Sequence, residues 1–128
     1  KSKPKKHATK PLVLIVDDNA DNRFATQAML KSSYEIIEAQ DGLESLQMAR
    51  DNSPDVILMD ALMPVMDGKQ ALQELRKDET LRHIPVIVVT ASAMYGDKEK
   101  LLDFGFDAYV SKPIDSDLLI QAIESAQG

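Results

Sequence analysis

The chain has 128 residues, of which 44% are hydrophobic, and a formal net charge of −6. This length fits one compact domain with a single core, and three Phe, three Tyr and no Trp make that core mainly aliphatic. The absence of Cys excludes disulfide bonds and thiolate metal sites and fits a reducing compartment, so we expect a cytoplasmic domain. The sequence contains neither a secretory signal nor an apolar run approaching the roughly 18 residues of a membrane span.

Basic charge is concentrated in residues 1–10, which contain five Lys and no acidic residue. Removing these five charges from the net charge of −6 leaves −11 for residues 11–128, which argues against direct nucleic-acid binding by the domain. A basic segment with Pro and no apolar pattern is typical of a disordered linker or a cloning remnant, and contact with nucleic acid or acidic lipid is the alternative. Because the chain begins without Met, we also expect it to be part of a longer protein.

Five apolar runs alternate with five helical patterns along residues 11–128. The runs predict strands at 11–16, 34–39, 56–59, 84–90 and 107–113. The helical patterns begin near Asp21, Asp41, Asp67, Lys98, and Asp115 or Ser116, and the fourth is closed by Gly105. Helical spacing predicts that the residues facing the core are Phe24, Ala25, Ala28, Met29, Leu43, Leu46, Ala49, Ala71, Leu72, Leu75, Leu118, Leu119, Ala122 and Ile123.

The polarity of the strands predicts their order in the sheet. The first, third and fourth runs are the most uniformly apolar and should be central, whereas the second and fifth carry polar residues and should lie at the edges. Short connections with right-handed crossovers make the sheet parallel. We therefore predict an α/β fold, a flavodoxin-like doubly wound (βα)5 domain with strand order 2-1-3-4-5.

Polar residues follow four of these strands, at ends that share one edge of a parallel sheet. They are Asp17, Asp18, Asp60, Thr90 and Lys112. Each alone has a structural explanation, such as a helix cap or a solvated surface charge, but their convergence indicates a site. Three carboxylates and one ammonium group leave a formal charge of −2, and the absence of His and Cys ligands indicates Mg2+, with Mn2+ or Ca2+ as substitutes.

A cation at this edge would allow Asp60 to act as a nucleophile toward phosphorus. Lys112 would draw charge from the phosphoryl oxygens, and Thr90 is able to donate a hydrogen bond to one of them. The chain has no glycine-rich nucleotide loop, and its first strand is followed by acidic residues instead. The phosphoryl group must therefore come from a small molecule or from another protein.

Four motifs in this order resemble those of response-regulator receiver domains of two-component signalling. They are VDDN at 16–19, MDALMPVMDG at 59–68, TA at 90–91 and SKP at 111–113. The resemblance covers residues 11–126 and implies that Asp60 accepts a phosphoryl group from a phosphohistidine on a histidine kinase or a histidine phosphotransfer protein. It also implies that Mg2+ is held by Asp17, Asp18, Asp60 and the backbone carbonyl of Leu62.

The same resemblance implies further roles. Lys112 would contact the phosphoryl group, and the Lys112-Pro113 peptide is cis in members of the family. Thr90 and Tyr109 resemble a switch pair in which Thr90 moves toward the phosphate and Tyr109 turns inward. Leu62 would affect water access and hence the lifetime of the phosphate. The chain departs from many relatives at 31–33, where KSS replaces a glycine turn.

Two stretches, DNADNR at 18–23 and ASAMYGD at 91–97, look more like receivers of hybrid histidine kinases than like receivers fused to DNA-binding modules. The basic segment would then be the linker from the kinase core, and the domain would be tethered where that kinase is membrane-bound. We expect the output to be contact with an unidentified downstream protein, without direct contact with nucleic acid or membrane.

Three alternatives remain at this point. A degenerate receiver that binds partners without phosphorylation is disfavoured by the complete acidic site. A Mg2+-dependent phosphatase that uses an aspartyl-phosphate is disfavoured because Ala61 and Leu62 follow Asp60, so the expected D-x-D pair is missing. A flavodoxin is disfavoured by the acidic first loop. Enzymatic activity would be limited to self-catalysed phosphotransfer and dephosphorylation.

Overall fold

The computed structural model describes residues 10–63, 65–91 and 97–127, in which five strands alternate with five helices. The strands are β1 (Leu12–Val16), β2 (Glu35–Ala39), β3 (Val56–Asp60), β4 (Val86–Thr90) and β5 (Ala108–Ser111). The helices are α1 (Ala20–Leu30), α2 (Gly42–Asn52), α3 (Gly68–Lys77), α4 (Asp97–Phe104) and α5 (Ser116–Gln127). Three features of the sequence analysis lie outside the described residues: the basic segment up to residue 9, Pro64 of the second motif, and residues 92–96.

All neighbouring strands are parallel and the order is β2-β1-β3-β4-β5, so the predicted doubly wound fold is confirmed. Central strands β3 and β4 are buried along their whole length, whereas β2 and β5 include exposed positions, as expected of edges. Val16 lies opposite Met59, and Thr90 lies opposite Ser111. The carboxyl-terminal ends of the strands are therefore level along one edge.

Helices cover both faces of the sheet. On one face, alternate strand residues such as Ile57 pack with Leu72 of α3 and with side chains from α2 and α4. On the other face, Leu58 packs with Leu119 of α5 and with α1. Among the described residues, the largest fully buried side chains are all Leu, Ile or Met, so the core is aliphatic, as the composition predicts.

Polar side chains fix the starts of four helices. Asn19, Asp41 and Asp67 are the N-caps of α1, α2 and α3, and each side chain accepts a hydrogen bond from a backbone N–H three residues later. Asp115 accepts hydrogen bonds from two backbone N–H groups in the first turn of α5, so Asp115 caps this helix. Gly105 follows α4 with a φ of 132°, a conformation that favours glycine.

The predicted core face of α1 is wrong for three of its four residues, whereas Met29 is half-buried and packs against the core. Phe24 is 72% exposed, and Ala25 and Ala28 are exposed as well, whereas Thr26 and Leu30 are buried. Burial of Thr26 is possible because its hydroxyl donates a hydrogen bond of 2.9 Å to the carbonyl of Asn22, so no polar group is left unsatisfied. The helix is therefore rotated relative to the stripe that its apolar residues suggest.

Two further predictions are wrong, because Leu43 and Leu118 are mostly exposed. Both lie on the side of their helices that faces away from the sheet, since Ser45 and Leu119 close by are fully buried. The remaining predicted residues of α2 and α5 are buried or half-buried. The whole predicted face of α3 is confirmed, since Ala71, Leu72 and Leu75 are all buried.

Carboxylates bind strand amides at the opposite, amino-terminal edge of the sheet. Asp55 accepts a hydrogen bond of 2.7 Å from the N–H of Leu12, and Asp107 accepts one of 2.8 Å from the N–H of Val86. Arg76 also donates to Asp107, at 2.8 Å. Side chains thus tie β1 and β4 at the edge away from the predicted site. Within the described residues, no helix combines the length and apolar character needed to cross a bilayer.

Candidate phosphoacceptor site

Three carboxylates converge where β1 and β3 end. Asp17, Asp18 and Asp60 each offer an oxygen atom, and these oxygens lie within 4.8 Å of one another. Asp17 and Asp60 are buried, with Asp60 only 9% exposed, whereas Asp18 faces solvent. The sheet topology thus gathers the acidic residues that the sequence predicted to be neighbours.

Lys112 is also at this position. Its Nζ atom lies 3.2 Å from Oδ2 of Asp17 and 3.4 Å from Oδ2 of Asp60. Its backbone N–H donates a hydrogen bond of 2.9 Å to the carbonyl of Thr90, and the following peptide bond, to Pro113, is cis. The backbone at the end of β5 is therefore anchored to β4, while the ammonium group reaches the two buried carboxylates.

The turn after β3 orients the Asp60 carboxylate. Its Oδ1 atom accepts a hydrogen bond of 3.1 Å from the N–H of Leu62, so the two carboxylate oxygens have different neighbours. The N–H of Gly68 donates to the carbonyl of Ala61 at 3.1 Å and closes the loop onto the end of the strand. A Cβ atom at Gly68 would lie 2.6 Å from the carbonyl oxygen of Asp60, so this close approach requires glycine. Gly68 was not among the predicted site residues.

Asp17 is held at both its backbone and its side chain. Its N–H donates to the carbonyl of Ala39 at 3.1 Å, and its Oδ1 atom accepts from the N–H of Asn19 at 2.9 Å. Its carbonyl accepts a hydrogen bond of 2.7 Å from Nη1 of Arg23, and Nε of the same arginine donates to Glu38 at 2.9 Å. Arg23 was not among the predicted site residues, although a basic residue six positions after Asp17 was the available signal.

Burial is the main cause of the perturbed acidity of Asp60. Desolvation raises the pKa of Asp60 above its ordinary value, and the charge of Asp17 raises it further; the N–H of Leu62 and the ammonium of Lys112 only partly oppose this. For Lys112, burial lowers the pKa, but the charges of Asp60 and Asp17 outweigh burial, so the net shift is upward. The site therefore holds a cationic lysine and a carboxylate that is costly to ionise.

The donor set fits a divalent cation. Three carboxylates and Lys112 leave a formal charge of −2 in a small, partly desolvated volume, and like charges this close repel unless a cation offsets them. All the side-chain donors are oxygens, which are the ligands that Mg2+ prefers. The exposed Asp18 leaves the cluster open to solvent on one side, which suits a cation that keeps several waters.

Thr90 and Tyr109 lie on the same face of the sheet. Thr90 is buried at the end of β4, two residues after Val88, which packs against α2, α3 and α4. Tyr109 lies opposite Val88 in β5 and packs half-buried against the same cluster. Because strand residues two apart share a face, both side chains belong to the layer that contains α4.

A cleft of about 290 Å³ adjoins the carboxylates. Asp17, Asp60 and Lys112 line it together with apolar side chains from α1, the sheet and the segment after β5, such as Met29 and Leu58. The buried charges are thus next to open space, which gives a reacting group a way to approach them.

Comparison with known proteins agrees with this geometry. A family model described as the response regulator receiver domain matches residues 13–124. The chain belongs to the response-regulator receiver family. The polar-differentiation response regulator DivK of Brucella ovis is 45% identical over 117 residues, which are 91% of this chain and 95% of that protein. The resemblance that the four motifs indicated is therefore confirmed.

Solved receiver structures are also similar to this receiver. The receiver domain of the sensor histidine kinase PA1611 from Pseudomonas aeruginosa PAO1, with a magnesium ion coordinated in its active-site cleft, is 35% identical with a TM-score of 0.85 over 93% of this chain and 98% of that one. The receiver domain of the Francisella response regulator 1452 is 31% identical with a TM-score of 0.83 over 92% and 97%. Similar proteins thus include both response regulators and a receiver from a sensor kinase.

Proposed function

We propose that this receiver accepts one phosphoryl group on Asp60, from a phosphohistidine of a histidine kinase or a histidine phosphotransfer protein, and that the modified domain changes its contacts with a downstream protein. The observation that carries the proposal is the position of the Asp60 carboxylate, which lies beside two other carboxylates and within 3.4 Å of the half-buried ammonium group of Lys112. This is the arrangement that transfer of a highly charged group requires.

The transfer itself needs little covalent chemistry from the protein. An oxygen of Asp60 forms the new O–P bond as the P–N bond of the donor breaks, and the electron pair of that bond stays on the imidazole nitrogen. The N–H of Leu62 holds Oδ1 and so fixes the direction of the carboxylate. Lys112 is close enough to bind a phosphoryl oxygen and to offset the charge that develops there.

We assign the Mg2+ ligands to the carboxylates of Asp17, Asp18 and Asp60 and to the backbone carbonyl of Leu62. When bound, Mg2+ neutralises negative charge on the carboxylates and the phosphoryl oxygens, and Mn2+ is a chemically suitable substitute. The magnesium ion in the PA1611 receiver supports this assignment. The closeness of the three carboxylate oxygens in this chain supports it independently.

We assign the conformational response to Thr90 and Tyr109. Thr90 lies at the strand end next to the site and shares a sheet face with Tyr109. Movement of the threonine toward a new phosphate would vacate space on that face, and the half-buried tyrosine is the aromatic side chain positioned to fill it. The signal would then reach the surface near α4 and β5.

We also propose that the domain works in the cytoplasm as the receiver part of a hybrid histidine kinase, with residues 1–10 as its linker. The motifs at 18–23 and 91–97 and the similarity to the PA1611 receiver support this origin. The DivK relative is a response regulator of nearly the same length as the matched region, so a response regulator made of little more than a receiver is the competing origin.

Intact mass after incubation with acetyl phosphate and Mg2+ tests the proposed function. We expect the wild-type protein to gain one phosphoryl group, and we expect no gain when Mg2+ is chelated or in Asp60→Asn. Asp51→Asn is the matched control, because it removes the same charge from the exposed carboxyl-terminal turn of α2 and should leave phosphorylation unchanged. Unchanged wild-type mass despite Mg2+ binding would favour a degenerate receiver, and rapid turnover of many phosphoesters would favour a phosphatase.

A further inference from the structure

We propose that Arg23 is a positioning residue that sets the affinity of this receiver for Mg2+ by fixing the peptide group between Asp17 and Asp18. The inference rests on the proposed function, because it takes both aspartates as ligands of the cation. It concerns a contact to the backbone of the acidic loop rather than a further ligand.

The contact acts on one peptide plane. Nη1 of Arg23 donates a hydrogen bond of 2.7 Å to the carbonyl oxygen of Asp17. That carbonyl belongs to the planar peptide whose nitrogen is the N–H of Asp18, so fixing the oxygen also fixes the direction in which the chain enters Asp18. Asp18 lies beyond the end of β1 and is exposed, so the sheet itself does not hold its side chain.

The arginine is itself held in place. Its Nε atom donates to Oε1 of Glu38 at 2.9 Å, and its side chain is 18% exposed. Glu38 lies in edge strand β2, where it pairs in register with Ile15 of β1. The planar guanidinium therefore bridges the edge of the sheet and the acidic loop with two hydrogen bonds in fixed directions.

The other contacts of Asp17 allow the role of Arg23 to be isolated. The N–H of Asp17 is bonded to Ala39, its Oδ1 to Asn19 and its Oδ2 to Lys112. These three contacts hold Asp17 when Arg23 is removed. The peptide that leads to Asp18 loses its side-chain anchor, so the expected defect is in the placement of one ligand and not in the fold.

A positioning role and a purely electrostatic effect of Arg23 predict opposite changes in the Kd for Mg2+ when Arg23 is replaced. Loss of a positive charge near a cation site should strengthen Mg2+ binding, because the repulsion between the two cations is removed. Loss of a positioning contact should weaken binding, because Asp18 must then be ordered when the ion binds. The direction of the change in Kd therefore distinguishes the two effects.

Calorimetric titration of the metal-free protein with Mg2+ tests the inference. We expect Arg23→Met to raise the Kd by about 10-fold, the lower end of the range for residues that orient metal ligands. We expect Arg23→Lys to raise it by about 3-fold, since lysine keeps the charge but cannot bridge both partners with a planar fork. Arg50→Met is the matched control, because Arg50 also forms an ion pair with a carboxylate, that of Asp78, which lies outside the acidic cluster.

An unchanged or lower Kd in Arg23→Met would overturn the inference, as would a rise of the same size in Arg50→Met. Circular dichroism before titration establishes that each variant is folded. If Arg23→Met does not fold, the Kd of Arg23→Lys is used instead, and an unchanged or lower Kd in that variant would likewise overturn the inference. A wild-type protein that binds no Mg2+ would overturn the metal assignment together with this inference. Normal wild-type binding with an unaffected Arg23→Met would overturn the inference alone.

Discussion

The Nζ atom of Lys112 lies 3.4 Å from Oδ2 of Asp60, although 52 positions separate the two residues in the sequence. Their strands are not neighbours either, because β4 lies between β3 and β5 in the sheet. The lysine side chain thus crosses the end of β4 to reach the carboxylate. The ion pair depends on three strands ending level at one edge, and it links the proposed phosphoacceptor to the residue that follows the last strand of the sheet.

Replacing Lys112 with Met should slow phosphorylation much more than it disturbs the fold. Loss of one charged group aimed at the developing charge is expected to reduce the rate of phosphorylation by about 100-fold. The rate would be measured by intact mass against time with acetyl phosphate and Mg2+. Lys77→Met, which alters an exposed lysine in α3, serves as the control, and equal rates in both variants would contradict the role of Lys112.

Replacing Asp60 with Asn should stabilise the metal-free protein at neutral pH. Burial raises the pKa of Asp60 in the folded state, so the folded protein holds this proton more tightly than the unfolded chain. The contribution of Asp60 to the free energy of unfolding is therefore fully present below the pKa that Asp60 has in the unfolded chain. This contribution is lost as the pH rises through the higher pKa that Asp60 has in the folded protein. Asn cannot ionise, so Asp60→Asn should not lose stability in this way as the pH rises.

Urea unfolding in chelator at several pH values measures this difference. Asp60→Asn should be more stable than wild type at pH 7, and the difference should vanish below about pH 3.5, where Asp is largely protonated in both states. Asp51→Asn should show no comparable gain. A lower stability of Asp60→Asn at pH 7 would mean that Lys112 stabilises the carboxylate more than burial penalises it.

Thr90→Ala should accept a phosphoryl group and fail to transmit the change. The variant keeps Asp60, the acidic cluster and Lys112, so intact mass should still show the gain of one phosphoryl group. Backbone amide NMR should show phosphorylation-induced shifts near Asp60 and much smaller shifts around Tyr109 and α4 than in wild type. Equal shifts in both proteins would refute the switch assignment.

Two neighbouring leucines of α5 test how the helix is oriented. Leu119 is fully buried and Leu118 is 60% exposed, so the same truncation should have different costs. Leu119→Ala should lower the free energy of unfolding by about 2–5 kcal/mol, and Leu118→Ala should change it by less than about 0.5 kcal/mol. Urea unfolding measures both. Similar costs would mean that α5 packs with a different face.

Gly68→Ala should destabilise the protein and impair phosphorylation, although alanine favours helices more than glycine does. The added Cβ would meet the carbonyl oxygen of Asp60 at 2.6 Å, so the start of α3 or the end of β3 must move. We expect a cost of about 1–3 kcal/mol, typical of overpacking. Urea unfolding and intact mass measure the two effects, and wild-type behaviour in both would show that the loop adapts freely.

The strand order and the converging polar residues were predictable because local sequence determines both. A strand covered on both faces must be apolar along its body, as β3 and β4 are up to their last residues, whereas edge strand β2 keeps polar residues such as Glu35. The first polar residue after each apolar run then marks the carboxyl-terminal edge. Asp60 was therefore identified as a member of the site from its convergence with the polar residues that follow the other strands.

The inward faces of the helices were less predictable. Helical periodicity identifies apolar stripes, but the stripe that meets the sheet depends on how the helix is rotated on the folded domain. In α1 this places Thr26 inside and Phe24 outside. The contact between Arg23 and the Asp17 carbonyl was missed for a related reason, since it depends on a long side chain that Glu38, in another strand, holds in position.

The two rims of the sheet differ in how they are built. At the amino-terminal rim, Asp55 and Asp107 bind backbone amides of β1 and β4, so the carboxylate charges there are already matched to donors. At the opposite rim, Asp60 is costly to ionise and lies beside like charges. Side-chain hydrogen bonds therefore hold the amino-terminal rim in place, whereas the carboxyl-terminal rim carries unbalanced charge. Rearrangements that begin at Asp60 should be largest in the loops of the charged rim and fade toward the rim that Asp55 and Asp107 anchor.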